Sequence, residues 1–129
     1  MSQFKSYAAL TSLSKILNAN ESLRKQTHEK LNANVAFVVH SKKEGKEMVW
    51  SLRGKEDKVT LSQEKSLSDV GNVDITINID DLNLKKLIGG KQSAQKLFMT
   101  GKLKIKGNVM KASFIEKLLK FAGKEKAKL

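Results

Sequence analysis

The chain has 129 residues, 40% hydrophobic and 29% charged, and its 25 lysines and arginines against 13 aspartates and glutamates give a formal net charge of +12, the profile of one soluble globular domain. It contains no cysteine, which excludes disulfides, thiolate nucleophiles and cysteine-based zinc or iron-sulfur sites. The longest apolar run, Val35 to Val39, falls far below the roughly 18 residues that cross a bilayer, and no basic region leads into an apolar stretch at the N-terminus, so neither a membrane span nor a secretory route is expected.

Phe4, Tyr7, Ala8, Leu13, Ile16 and Leu17 recur at three- and four-residue spacings and predict an opening helix with one apolar face, capped by Ser2 or Ser6. Asn18-Ala19-Asn20 interrupts it, and Glu21 to Leu31 continues as a more polar helix anchored by Leu23 and Leu31. From Asn34 the period changes. The run Val35 to Val39, a turn at Lys42-Lys43-Glu44-Gly45 and the run Met48 to Leu52 predict a hairpin. A third strand around Lys58 to Leu61 extends it to an antiparallel meander, and Gln63 to Asn72 reads as loop. Val73, Ile75, Ile77 and Ile79 alternate with Asp74, Thr76 and Asn78, which buries one sheet face and demands helical cover there.

That cover follows at once. Asp80 suits an N-cap and Asp81 the positive end of a helix dipole, for a short helix with Leu84, Leu87 and Ile88 as its stripe and Gly89-Gly90 as its stop. Ser93 to Met99 adds a helical turn or two. Gly101 then breaks to a strand with Leu103 and Ile105 inward and Lys102, Lys104 and Lys106 outward. Gly107-Asn108 turns the chain into a last helix, Val109 to Ala122, with Met110, Phe114, Leu118 and Phe121 in one stripe and Ile115, Leu119 and Ala122 in a second. Gly123 is expected to cap it, which divides the chain into a single domain, residues 1–123, and an exposed tail, 124–129.

The charge is concentrated. Residues 1–81 carry 12 basic and 11 acidic side chains, whereas residues 82–129 carry 13 basic ones against Glu116 and Glu125. This asymmetry points to an anionic partner. Only Arg24 and Arg53 are arginine, whereas base readout and phosphate forks favour the planar guanidinium, so diffuse attraction to an acidic membrane surface fits better than nucleic acid. No catalytic constellation is evident. His28 and His40 have no evident partner in a reaction, neither a nucleophile elbow nor a phosphate-binding glycine loop occurs, and Asp80-Asp81 reads as a helix cap rather than a cation site. No enzyme activity, metal or cofactor is expected. The composition describes a binding protein.

Two features are more specific. Ala127-Lys128-Leu129 matches the small-basic-Leu form of the peroxisomal address whose archetype is Ser-Lys-Leu. The stretch Gln95 to Lys111, with Phe98-Met99, Gly101-Lys102-Leu103-Lys104-Ile105-Lys106-Gly107-Asn108 and Met110, strongly resembles the C-terminal signature of the sterol carrier protein family, the nonspecific lipid-transfer proteins. The opening helix, Trp50, the strand before Asp80-Asp81 and the Ala-Lys-Leu ending follow in family order. Thr100 departs from the pattern, since many relatives have Gln there.

The resemblance implies an α+β fold, a five-stranded mostly antiparallel sheet covered on one face by helices, with an apolar lipid tunnel between sheet and helices. It implies intracellular binding and transfer of fatty acids, fatty acyl-CoA, sterols or phospholipids in support of peroxisomal fatty-acid metabolism, in the peroxisomal matrix and as a monomer. A chaperone-like protector of peroxisomal enzymes is the alternative. The candidate lipid-binding residues are Ile16, Trp50, Leu84, Leu87, Ile88, Gln95, Phe98, Met99, Met110, Phe114, Leu118 and Phe121. Ile75, Ile77, Leu103 and Ile105 read as ordinary core. Lys102, Lys104, Lys106, Lys111, Lys117 and Lys120 are the candidate contacts to headgroups or an anionic membrane, and Ala127, Lys128 and Leu129 those to the peroxisomal import receptor.

Overall fold

The first helix, α1 (Tyr7–Ala19), starts after Ser6, yet the Ser6 hydroxyl does not cap its own helix. The amides of Lys5 and Ser6 and the Ser6 hydroxyl donate instead to the Asp81 carboxylate at 2.6, 2.9 and 2.6 Å. The positive end of α1 is therefore held by a side chain distant in sequence. Asn20 breaks the chain as expected, and its side chain accepts from the Leu23 amide at the start of α2 (Glu21–Gln26). The Arg24 guanidinium donates to the carbonyls of Leu17 and Asn18 at 2.6 and 2.7 Å, satisfying acceptors that the end of α1 leaves open. A π-helical turn, Thr27–Leu31, completes this segment. This computed structural model describes residues 4–43 and 45–127; Ser2, Glu44, Lys128 and Leu129, named above as cap, turn and address, lie outside the described residues.

The sheet consists of β1 (Asn34–Ser41), β2 (Lys46–Arg53), β3 (Leu61–Glu64), β4 (Ile75–Asp80) and β5 (Leu103–Lys106) in the order β3-β2-β1-β4-β5. β1–β2, β2–β3 and β4–β5 pair antiparallel, and β1–β4 is the parallel pair. The architecture is the expected α+β one, with a mostly antiparallel sheet. β3 begins later than its sequence suggests. Its ladder runs from Leu61 opposite Leu52 to Glu64 opposite Val49, because the polar loop after Arg53 closes only where the Arg53 amide donates to the Thr60 carbonyl at 2.9 Å. As an edge strand it carries polar residues that conceal it in the sequence.

Residues read as loop also contain a short helix, α3 (Leu67–Val70). Its Val70 joins Ala36, Val38, Val49 and Val73 in a small cluster, on the face opposite the main core because Ala36 and Val38 alternate with Val35, Phe37 and Val39. β1 is thus buried on both faces.

The main core lies on the other face, under α1, α4 (Asp81–Ile88), α5 (Ala94–Met99) and α6 (Ala112–Ala127). Asp80 caps α4 through the Asn83 amide, and Ser93 caps α5 through the Lys96 amide. α6 packs between α1 and α4. It starts later than expected, since Val109–Lys111 is a 3-10 turn in which the Asn108 side chain accepts from the Met110 amide at 3.0 Å. It also continues through Gly123 to Ala127. Glycine is permissive rather than an obligatory stop, and the residues that follow it are good helix formers.

Candidate functional site

Two adjoining spaces lie toward the β5 edge of the helix-covered face. The inner one is a cleft floored by Phe37, Ile77, Ile79, Leu103 and Ile105 from β1, β4 and β5. Leu84 and Leu87 of α4 wall it, and Ala112, Ile115 and Leu119 of α6 roof it. The strand residues converge there because side chains two apart share a face, and the α6 residues because three- and four-residue steps do so on a helix. About 10 Å³ is free inside, room for one water at most.

The outer space is a groove of about 250 Å³, open to solvent, between Gln95 and Phe98 of α5 and Val109 and Ser113 at the approach to α6. Ala94, Ile105, Ala112 and Glu116 line both spaces and separate them. The tunnel expected between sheet and helices is therefore a closed cleft behind an open groove. Its own aliphatic side chains fill it, since an apolar void would forfeit about 24 cal/mol per Å³ in lost contacts.

Glu116 lines both spaces but is not among the residues the sequence singles out for the site. Its Oε2 accepts from the Ala94 amide at 3.2 Å and from Lys120 Nζ at 2.9 Å, tying the start of α5 to α6. The signal lay in its spacing: four residues after Ala112 and three before Leu119, it is an acid within an apolar helix face. The Ser113 hydroxyl donates to the Met110 carbonyl at 3.3 Å.

The candidate lipid-binding residues distribute over several environments. Leu84 and Leu87 line the cleft, and Gln95 and Phe98 the groove. Met99 and Met110 lie outside both linings and are 76% and 86% exposed. Ile88 and Leu118 are buried core, while Ile16, Phe114 and Phe121 are half-buried. Trp50 is buried, its ring 5.9 Å from Tyr7 and its Nε1–H donated to Met48 Sδ. Ile77, Leu103 and Ile105, read as ordinary core, form much of the cleft floor, whereas Ile75 lies outside the lining.

The six candidate lysines do not form one patch. Lys102 and Lys104 border a separate depression with His40, Lys42 and Asp80, and Lys106 continues the outward side of β5. Lys111 Nζ lies 3.4 Å from the Asn32 carbonyl, Lys120 is paired with Glu116, and Lys117 is exposed. Both histidines have structural partners, His28 at the Gly54 carbonyl and His40 at Glu47, 3.0 and 3.1 Å away. Among the described residues no group of three or more His, Asp or Glu is placed to hold a metal ion.

The signature run itself builds the corner that carries β5. Gly101 and Gly107 have φ of +77° and +107°, which favour glycine. The Thr100 hydroxyl folds back onto the Lys96 carbonyl at 2.9 Å.

The model of the SCP-2 sterol transfer family matches residues 13–120. A fatty acid-binding protein of Yarrowia lipolytica is 45% identical over 94 residues, 73% of this chain and 70% of that relative. The oleate-induced peroxisomal protein POX18 of Candida maltosa is 38% identical over 102 residues, 79% of this chain and 77% of that one. Among solved structures, the apo form of Sterol Carrier Protein 2 from Yarrowia lipolytica aligns with a TM-score of 0.76 at 38% identity, covering 95% of each chain. With the matched span running from within α1 to within α6 and so including the cleft and groove, the chain belongs to the SCP-2 sterol transfer family.

Proposed function

We propose that this protein is a monomeric, non-enzymatic lipid carrier, a single domain that takes one lipid at a time and supports peroxisomal fatty-acid metabolism. The observation that carries this reading is the aliphatic cleft, lined from both sheet and helices, that meets an open groove across four residues. An acyl tail enters from the groove as Ile115 and Leu119 yield, while the headgroup stays near Gln95 in the open part. Fatty acids and fatty acyl-CoA are the favoured ligands, with sterols and phospholipids as further ones; the names of the two yeast relatives support fatty acyl chains. The tail Ala127-Lys128-Leu129 directs the protein through the import receptor to the peroxisomal matrix, a reading supported by the peroxisomal relative.

A chain of about 16 carbons at about 0.8 kcal/mol per methylene gives roughly 12 kcal/mol of gross burial energy. Subtracting an association cost of at least about 4 kcal/mol leaves a Kd near micromolar. A bilayer offers similar energy per methylene, so exchange between membrane and cleft is close to isoenergetic and needs no energy source.

Ala112 stands at the partition between cleft and groove and is the position to test. Titration with a fluorescent fatty acid is expected to saturate near one per protein. Ala112→Phe is expected to weaken that binding on the order of tenfold or more, by filling the passage, with the circular dichroism spectrum retained. Unchanged binding by the folded variant contradicts entry between α5 and α6.

A further inference from the structure

We infer that the mouth of the groove is a membrane-docking surface, in which Phe98, Met99, Val109 and Met110 enter the surface of an anionic bilayer so that lipid passes into the groove without crossing water. This rests on the lipid-carrier reading above. Among the described residues the large exposed hydrophobics are these four together with Leu67 and Leu82. Leu67 and Leu82 stand singly on α3 and α4. The four instead come from two short segments that face each other across one groove. Phe98 and Val109 line it at 43% and 46% exposure, and the next residues in sequence, Met99 and Met110, are 76% and 86% exposed. Exposed apolar side chains on both sides of one opening, each followed in sequence by a still more exposed methionine, mark an interaction site.

Charge identifies the partner. Residues 82–115, which supply the four apolar side chains, contain eight lysines and no acid, and Glu116, the acid in the groove lining, is paired with Lys120. Lys96, Lys102, Lys106 and Lys111 flank the two apolar segments in sequence. A second copy of this chain would bring the same positive charge against itself. Lysine without arginine gives diffuse attraction to an anionic surface rather than forked pairing with particular carboxylates. Unbranched methionine accommodates irregular apolar surroundings such as acyl chains. An apolar rim carried by a lysine-rich segment is the pattern that seats a protein in the interfacial layer.

The chain has no cysteine, so single Met99→Cys, Met110→Cys and Lys65→Cys variants each take one environment-sensitive fluorophore. Lys65 is exposed just beyond β3, the strand at the sheet edge opposite β5. With vesicles of phosphatidylcholine and phosphatidylserine in equal parts, both rim labels are expected to shift to the blue and to be quenched by brominated lipid. The Lys65 label is expected to do neither. Without a label, Met99→Ser with Met110→Ser is expected to weaken vesicle binding on the order of tenfold or more. Equal responses at all three positions, or none at the rim, overturn the docking surface. A rim shift that needs no vesicles and grows with protein concentration assigns the rim to a second copy. A shift seen with unfolded polypeptide and not with vesicles assigns it to protein clients. Titration of the same preparations with the fluorescent fatty acid separates the two claims. Uptake without insertion overturns docking alone, whereas insertion without uptake overturns the carrier reading and leaves docking standing.

Discussion

A Cβ at Gly107 would run into the Asp74 carbonyl oxygen and stand 3.1 Å from the Ile75 Cα, at a φ of +107°. The backbone of β5 reaches β4 at that point only because no side chain intervenes. Gly107→Ala is therefore expected to cost about 3 kcal/mol or more, measured by chemical denaturation; a loss within about 0.5 kcal/mol contradicts this role. Asp74, on the other side of the contact, accepts from the Asn34 amide and from Lys55 Nζ, each at 2.9 Å. First the amide and then the lysine hold its carboxyl below the usual value. Because the folded value is the lower one, the stabilisation is complete above the ordinary carboxylate range and is lost as pH falls through the folded value. The melting temperature of Asp74→Asn should lie below that of the parent at neutral pH, with the gap closing below about pH 4. The side chain is 41% exposed, so the gap is modest, under about 1 kcal/mol. A gap that persists at the acid end contradicts the assignment. Sequence makes Gly107 legible as a turn residue and Asp80 as a cap, since both are local chemistry. The grip of Asp81 on the start of α1 is not legible, because it joins residues that only the folded chain brings together.

The helix α5 is short, has Leu97 as its buried anchor, and lies between Gly90 and Gly101, both at positive φ with open surroundings. Such an element is held by few ties, and the Ala94 amide to Glu116 is one of them. Glu116→Ala is expected to raise hydrogen exchange across residues 94–99 on the order of tenfold while leaving β1 unchanged. Equal protection in both proteins contradicts the tie. Elements with strong local periodicity, among them α1, the β1–β2 hairpin, β4 and α4, are legible in the sequence. β3 is not placed by it, because an edge strand tolerates Ser62, Gln63 and Glu64. α3 is too short for a period, and the apparent start of the last helix at Val109 is a tighter turn. That turn sets the phase of α6. Ala112, Ile115 and Leu119 therefore face the cleft, while Met110, first in the expected stripe, stands outside the helix. A helical wheel shows a broad apolar arc but not which part of it meets α1, α4 or the sheet.

The charge of +11 on residues 82–129 and the apolar opening between α5 and α6 belong to the same third of the chain. In the proposed reading one part of the molecule both attracts an anionic surface and gives access to its interior, while α1, α2 and the β1–β3 meander supply the scaffold. The signature Gly101-Lys102-Leu103-Lys104-Ile105-Lys106-Gly107-Asn108 shapes the corner and supplies Leu103 and Ile105 to the cleft floor, which explains how a motif read from sequence marks the family without naming the whole lining. Closure is what the sequence does not disclose. Its residues specify an apolar interior, but whether their volumes leave a channel depends on packing. To hold an acyl chain the cleft must widen from about 10 Å³, and the proposed entry route displaces Ile115 and Leu119 of its roof. Native mass spectrometry of the purified protein, before and after addition of a long-chain fatty acid or its acyl-CoA, tests this most directly. One lipid per protein, bound on purification or after addition, is the predicted result. A protein that remains empty with both ligands contradicts it and leaves the cleft as ordinary core.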